Sequence, residues 1–169
     1  ENLNKQSLVF TTDIKQTIQC SDIIFITVGT PMNEDGSACL ESIFEVAKDI
    51  GKYINSYKII VTKSTIPIGT TLKVRKIIED SIIENKLSID FDIANNPEFL
   101  KEGKAVNDFM YPDRIIIGLD NAKIKKFFRE IYKPFSMNHQ KLIFMDIVSS
   151  ELTKYASNAM LATKISFIN

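Results

Sequence analysis

Histidine and cysteine are scarce in this sequence, with one His and two Cys among 169 residues. Cys20 and Cys39 do not stand in a metal-ligand spacing, and no metal site is expected. Two lone cysteines read most simply as reduced thiols of a cytoplasmic protein. Neither carries a nucleophile signature, Cys20 falling near a helix end and Cys39 near a helix start. His139 sits among Asn138, Gln140 and Lys141 without a serine or cysteine partner, and reads as an exposed loop residue. There is no excess of either charge, Lys plus Arg and Asp plus Glu both standing at 21. That balance argues against a nucleic-acid groove or a polybasic membrane patch. Long apolar runs are missing as well. The longest, such as 23–26, are far too short to span a bilayer, and no signal-peptide pattern opens the chain. Internal repeats and low-complexity tracts are absent.

What is present is ordinary for a soluble protein of one globular domain: 44% hydrophobic and 25% charged residues, in a chain long enough to bury a core. The first residue is Glu1, and the last, Asn169, falls inside a helical pattern with no stop signal. The chain is therefore expected to be a piece of something longer.

Apolar, β-branched segments alternate with amphipathic ones. A short strand is expected over 8–11 and a short helix over 13–20. Residues 23–28 are apolar on both faces, as a strand covered on both sides of a parallel sheet should be. Leu40, Ile43, Phe44, Ala47, Ile50 and Ile54 follow helical spacing. A buried strand over 58–62, a helix over 71–85 and a third strand over 91–94 follow. An irregular segment containing Asp108 then leads to a strand over 115–119, a helix over 122–132 ended by Pro134, and a strand over 142–146. A last helix begins near Ser149 or Ser150, either a good N-cap. Such alternation argues for βαβ units and a parallel sheet.

The polar motifs fall at strand ends. Val28-Gly29-Thr30-Pro31, Lys63-Ser64-Thr65 and Asn95-Asn96-Pro97-Glu98 end the first three firm strands. In an open α/β sheet ligands bind outside the carboxyl ends of the strands, and right-handed crossovers put these three turns on one edge. Thr30, Thr65, Glu98 and Glu102 are thus expected to converge on one crevice. Each motif also has a plain reading. Gly-Thr-Pro alone is a turn, and Lys-Ser-Thr serves equally as a strand end and helix cap. Asn96 and Pro97 suit the start of a helix with Glu98 and Glu102 one turn apart on one face. On the last helix Lys154 and Asn158 share a face; both can donate to a developing oxyanion, although spacing alone favours a solvated face.

Taken together, the motifs resemble those of the nucleotide-sugar 6-dehydrogenases. The resemblance rests on Val-Gly-Thr-Pro at 28–31, Lys-Ser-Thr-Ile-Pro-Ile-Gly-Thr at 63–70 and Asn-Pro-Glu-Phe-Leu-Lys-Glu-Gly at 96–103. Pro-Asp-Arg-Ile-Ile-Ile-Gly at 112–118 and Glu-Leu-Thr-Lys-Tyr-Ala-Ser-Asn-Ala at 151–159 follow in the same order. It covers nearly the whole chain. It implies a partial Rossmann-type parallel sheet over 1–148, lacking its first βαβ unit, then the start of a long central dimerisation helix over 149–169. It also implies NAD-dependent oxidation of the C6 alcohol of a UDP-sugar to a carboxylate, in two successive hydride transfers, by a cytoplasmic homodimer.

By the same resemblance, Val28, Gly29, Thr30, Pro31 and Met32, with Ser64, Thr65 and Ile66, line the NAD site. Thr65 helps position the catalytic water, and Glu98 is the base that activates water against a thioester. Glu102 lies at the junction of nicotinamide and sugar. Lys154 and Asn158 stabilise oxyanions at C6, and Phe99, Leu100 and Lys101 touch the sugar nucleotide. A closed crevice is expected to push the Glu98 pKa upward.

The pattern also departs from the family. The Gly-rich first turn, the acid that holds the adenosine ribose, the nucleophilic cysteine and the UDP-binding domain are not in this stretch. The stretch by itself is therefore expected neither to turn over substrate nor to bind NAD tightly. The octet at 96–103 and Pro112-Asp113-Arg114-Ile115 favour the UDP-glucose branch over UDP-N-acetylmannosamine and GDP-mannose dehydrogenases. A nucleotide binder without catalysis would not require Thr65, Glu98, Glu102, Lys154 and Asn158 together. A flavodoxin-like regulatory domain leaves the polar strand ends unexplained.

Overall fold

The computed structural model describes residues 8–101, 103–135 and 141–168. Five strands form one sheet: β1 (Ile23–Ile26), β2 (Lys58–Thr62), β3 (Phe91–Asn95), β4 (Ile115–Leu119) and β5 (Leu142–Met145), side by side in chain order. The helices are α1 (Ile14–Cys20), α2 (Glu41–Tyr53), α3 (Thr70–Glu84), α4 (Ala105–Met110), α5 (Lys125–Tyr132) and α6 (Ile147–Ile168).

The apolar pattern explains the layers. β2 and β4 are buried along their whole length, because both faces of the sheet are covered. On one face Ile26, Ile60 and Ile93 pack with Ile18 of α1, Ile43 and Ile50 of α2, Val74 and Ile78 of α3 and Ile147 of α6. On the other, Val61, Ala94 and Ile117 pack with Phe128 and Tyr132 of α5. Lys58 enters β2 almost fully buried, at 1% exposure. Its ammonium donates to the carbonyl of Ser21 at 2.6 Å, just past the end of α1, where unpaired carbonyls favour a cation.

The sheet is not wholly parallel. β1, β2 and β3 run parallel, β3 and β4 antiparallel, and β4 and β5 parallel again. β3 and β4 share only the pairs Ala94↔Leu119 and Asn95↔Gly118. Ile115 therefore lies beyond the carboxyl end of β3, and the segment leading into β4 reaches the same edge as the turns after β1, β2 and β3.

Other expectations need correction. Residues 8–11 form no strand: Leu8, Val9 and Phe10 are exposed, and no strand pairs with them among the described residues. The strand expected over 23–28 stops at Ile26. No helix follows Asn96 and Pro97 directly. Asn96 turns its side chain inward, its amide donating to the Ile116 carbonyl at 3.0 Å, so it is not free to cap. Glu98 folds back to accept the Leu100 N–H at 2.7 Å, a local bond that competes with helix. The helix forms later, as α4, inside the segment expected to be irregular. α6 starts at Ile147 rather than near Ser149 or Ser150, with Asp146 accepting the Ser149 N–H at 2.8 Å.

α6 crosses the sheet in very close contact. A Cβ on Gly118 would stand 2.6 Å from Ser150 Cβ and 2.9 Å from Ile147 Cα. Ile147, Ser150, Glu151 and Lys154 are buried, whereas Leu161, Ile165, Phe167 and Ile168 further along are exposed. Among the described residues no helix is long and apolar enough to cross a membrane.

Candidate active site

The turns after β1 and β2 are tied to each other. The Ser64 hydroxyl donates to the Val28 carbonyl at 2.6 Å, and the Thr30 hydroxyl to the Thr65 carbonyl at 2.9 Å. The Ile66 side chain belongs to the core at 3% exposure, while Met32 is 79% exposed. Gly29 has open space where a Cβ would stand.

The turn after β3 brings Glu98 against both neighbours. Its Oε1 accepts the Lys154 ammonium at 3.0 Å and the Thr65 hydroxyl at 3.4 Å. Residues 65, 98 and 154 come from three separate stretches of sequence and meet at one carboxylate oxygen. The Phe99 ring has two cations near its centre, the Arg114 guanidinium at 4.7 Å and the Lys154 ammonium at 5.5 Å. A crevice of about 480 Å³ opens here. Glu98, Phe99, Leu100, Lys101, Lys154 and Asn158 line it. Thr30 and Thr65, expected on the same crevice, are not on its wall. Thr65 is joined to it through the bond of its hydroxyl to Glu98, and Thr30 is tied to the Thr65 carbonyl. Glu102 lies outside the described residues, and so does His139.

Among the other residues on the crevice wall that the sequence reading gave no site role are Lys63, Arg114 and Ser157. Each lies within a motif quoted above, next to or near a residue singled out there, which was the available signal. Lys63 donates to Asn96 Oδ1 at 3.2 Å. Burial pushes its ammonium pKa down, and the Glu98 charge partly opposes that. Asn96 Oδ1 also accepts the Tyr132 hydroxyl. Burial raises that hydroxyl's pKa to about 12, so it remains a donor at neutral pH.

Glu98 departs from the expected upward shift. Partial burial does push its pKa up, but the Leu100 N–H, the Lys154 ammonium and the Thr65 hydroxyl together hold it below the ordinary value. A ¹³C titration of the Glu98 carboxyl should therefore give a midpoint below the usual glutamate value of about 4.3. The bonds to Glu98 contribute fully to stability above the unfolded-state value, and that contribution is lost as pH falls through the folded one. A midpoint at or above the usual value would contradict this geometry.

A mostly parallel sheet with three polar strand ends gathered at one edge defines a Rossmann-type domain. A profile of the UDP-glucose/GDP-mannose dehydrogenase family, NAD binding domain, matches residues 1–136. The UDP-glucose 6-dehydrogenase TuaD of Bacillus subtilis is 45% identical over 169 residues, covering 100% of this chain and 35% of the relative. Among solved structures, a UDP-glucose dehydrogenase from the archaeon Pyrobaculum islandicum superimposes with a TM-score of 0.87 at 36% identity, covering 99% of this chain and 38% of that one. A GDP-mannose dehydrogenase from Pseudomonas aeruginosa gives a TM-score of 0.87 at 32% identity, covering 97% and 38%. The chain belongs to the UDP-glucose/GDP-mannose dehydrogenase family, and its matched portion is that family's NAD binding domain. It spans little more than a third of the length of these relatives.

Proposed function

We propose that the protein to which this chain belongs is an NAD-dependent UDP-glucose 6-dehydrogenase, oxidising the C6 alcohol to a carboxylate in two successive hydride transfers. The observation that carries the reading is the meeting of the Lys154 ammonium and the Thr65 hydroxyl on one oxygen of Glu98, where Glu98 and Lys154 line a crevice at the carboxyl edge of the sheet.

The turn residues suit a dinucleotide. Val28, Gly29, Thr30, Pro31 and Met32 lie beside Ser64, Thr65 and Ile66, offering backbone and small side chains at the ends of adjacent parallel strands. Ile66 takes part through its backbone, since its side chain is in the core. NAD, when bound, supplies the hydride acceptor.

The chain's own residues orient substrate and move protons. Glu98, ionised at neutral pH, takes a proton from a water held by Thr65. That water adds to the C6 carbonyl carbon of a thioester to the family's nucleophilic cysteine, which is not in this stretch. The carbonyl π pair moves onto oxygen, and its return breaks the C–S bond, releasing the thiolate and the C6 carboxylate. Between these steps Lys154 and Asn158 donate to the oxyanion. As the Lys154 ammonium turns toward that oxygen its hold on Glu98 weakens, and the carboxylate becomes more basic when a base is needed. Phe99, Leu100 and Lys101 contact the sugar nucleotide. Residues 1–148 form part of the NAD-binding domain. The part of α6 from residue 149 on begins the central helix, whose exposed Leu161, Ile165 and Phe167 supply apolar surface for a homodimer.

The test is turnover by the complete protein with UDP-glucose, UDP-N-acetylmannosamine and GDP-mannose as competing substrates. UDP-glucose is expected to give the highest kcat/KM; a preference for GDP-mannose would overturn the assignment.

A further inference from the structure

Glu151 is only 1% exposed, and among the described residues it makes no ion pair. Its two oxygens instead accept backbone N–H groups at the start of α3: Gly69 to Oε2 at 2.6 Å and Thr71 to Oε1 at 2.8 Å. A helix start is usually capped by the residue just before it. Here that residue is Gly69, at φ +83°, with no side chain to offer. The cap comes instead from a different helix, about 80 positions along the chain. One residue earlier on α6, the Ser150 hydroxyl donates to Asn95 Oδ1 at 2.9 Å, at the end of β3.

These bonds tie the first turns of α6 to the two elements that bear the other site residues. The turn entering α3 carries Thr65, and the turn leaving β3 carries Glu98. Lys154 follows Glu151 by three residues and so lies one turn further along the same face.

We infer that Glu151 is a positioning residue: its buried carboxylate, held by the α3 N-terminus, sets the rotation and depth of α6 at which the Lys154 ammonium reaches Glu98. The inference rests on the catalytic reading of Glu98 and Lys154 given above. Among the described residues the charged groups around Glu98 are Lys154 on α6, Lys63 just past the end of β2, Arg114 beside Phe99, and Lys101, Asp108 and Asp113 on the crevice wall. Of these only Lys154 rides on α6, but the Thr65 hydroxyl on the turn entering α3 also bonds Glu98. The titration is therefore read in Glu151→Gln with and without Lys154→Met: movement lost in the double variant is the part that Lys154 carries.

The experiment uses Glu151→Gln in the complete protein. The substitution keeps the volume but sets an amide NH2 against one of the two N–H donors. Four quantities are read: the ¹³C titration of the Glu98 carboxyl, assigned with Glu98→Gln; the Tm; the pH profile of kcat; and the KM values. The Glu98 midpoint should rise by about half a pH unit or more, with Lys154→Met giving the upper bound. Turnover should fall about ten-fold, with KM values changing less than about two-fold.

A lower Tm with the Glu98 midpoint unmoved overturns the inference, whatever the activity does. A moved midpoint with unchanged turnover supports the inference and instead sinks the role proposed for Glu98. If Glu151→Gln does not fold, Glu151→Asp keeps the charge and retracts it by one methylene. The same upward movement then supports the inference, and an unmoved midpoint overturns it.

Discussion

Glu98→Gln in the complete protein is expected to cut kcat by about a hundred- to ten-thousand-fold, the range typical for loss of a positioned general base. Glutamine has nearly the same volume and keeps an oxygen that can accept from Lys154 and Thr65. The hydrogen bonds at 3.0 and 3.4 Å therefore have a successor, and the fold should survive. What disappears is the capacity to take a proton from water. The effect should fall on kcat rather than on binding, with KM for the sugar nucleotide changed by less than about three-fold. Steady-state kinetics with UDP-glucose, together with a melting curve for each variant, separate these outcomes. A variant that retains more than a tenth of parental kcat would remove Glu98 from the chemistry.

The second large effect is on stability. Gly118→Ala places a methyl group in a strand, which ordinarily favours folding by about 0.5–1 kcal/mol over glycine. Here that gain is outweighed. The new carbon would stand 2.6 Å from Ser150 Cβ and 2.9 Å from Ile147 Cα, and the latter is backbone that cannot swing aside. Overpacking of this kind costs about 1–3 kcal/mol, and Gly118→Val more. The natural control is Gly29→Ala, where no atom lies within 4 Å of the added carbon and stability should be nearly unchanged. Urea denaturation of the three variants decides the point; a Gly118→Ala protein as stable as its parent would contradict the close packing of α6 on β4. Because α6 also carries Lys154, the same substitution should lower activity.

These effects differ in how far the sequence foretold them. Glu98 could be found because an acid follows Asn95-Asn96-Pro97 at the end of an apolar strand, and parallel strands send such ends to one edge. Lys154 was reached through its motif, since its spacing to Asn158 also describes a solvated face. The contact of Gly118 with α6 could not be read at all, for nothing local to a strand glycine names its neighbour across the fold.

The octet at 96–103 misled because its local signals were sound. Asn96 is a good cap, but the sheet, Tyr132 and Lys63 claimed its side chain instead. The reversal of β4 was hidden because a strand buried on both faces reads the same in either direction. Glu151 went unassigned because its partners are N–H groups about 80 residues away, and backbone donors carry no sequence signature.

Lys58 has a practical consequence of its own. Its ammonium is enclosed at 1% exposure and engaged by the Ser21 carbonyl at 2.6 Å, which makes it the most concealed amine among the described lysines. Reagents that acylate amines will tag the surface lysines and leave this one untouched until the domain opens. Its labelling is then a chemical clock for unfolding, readable by mass spectrometry at a single position.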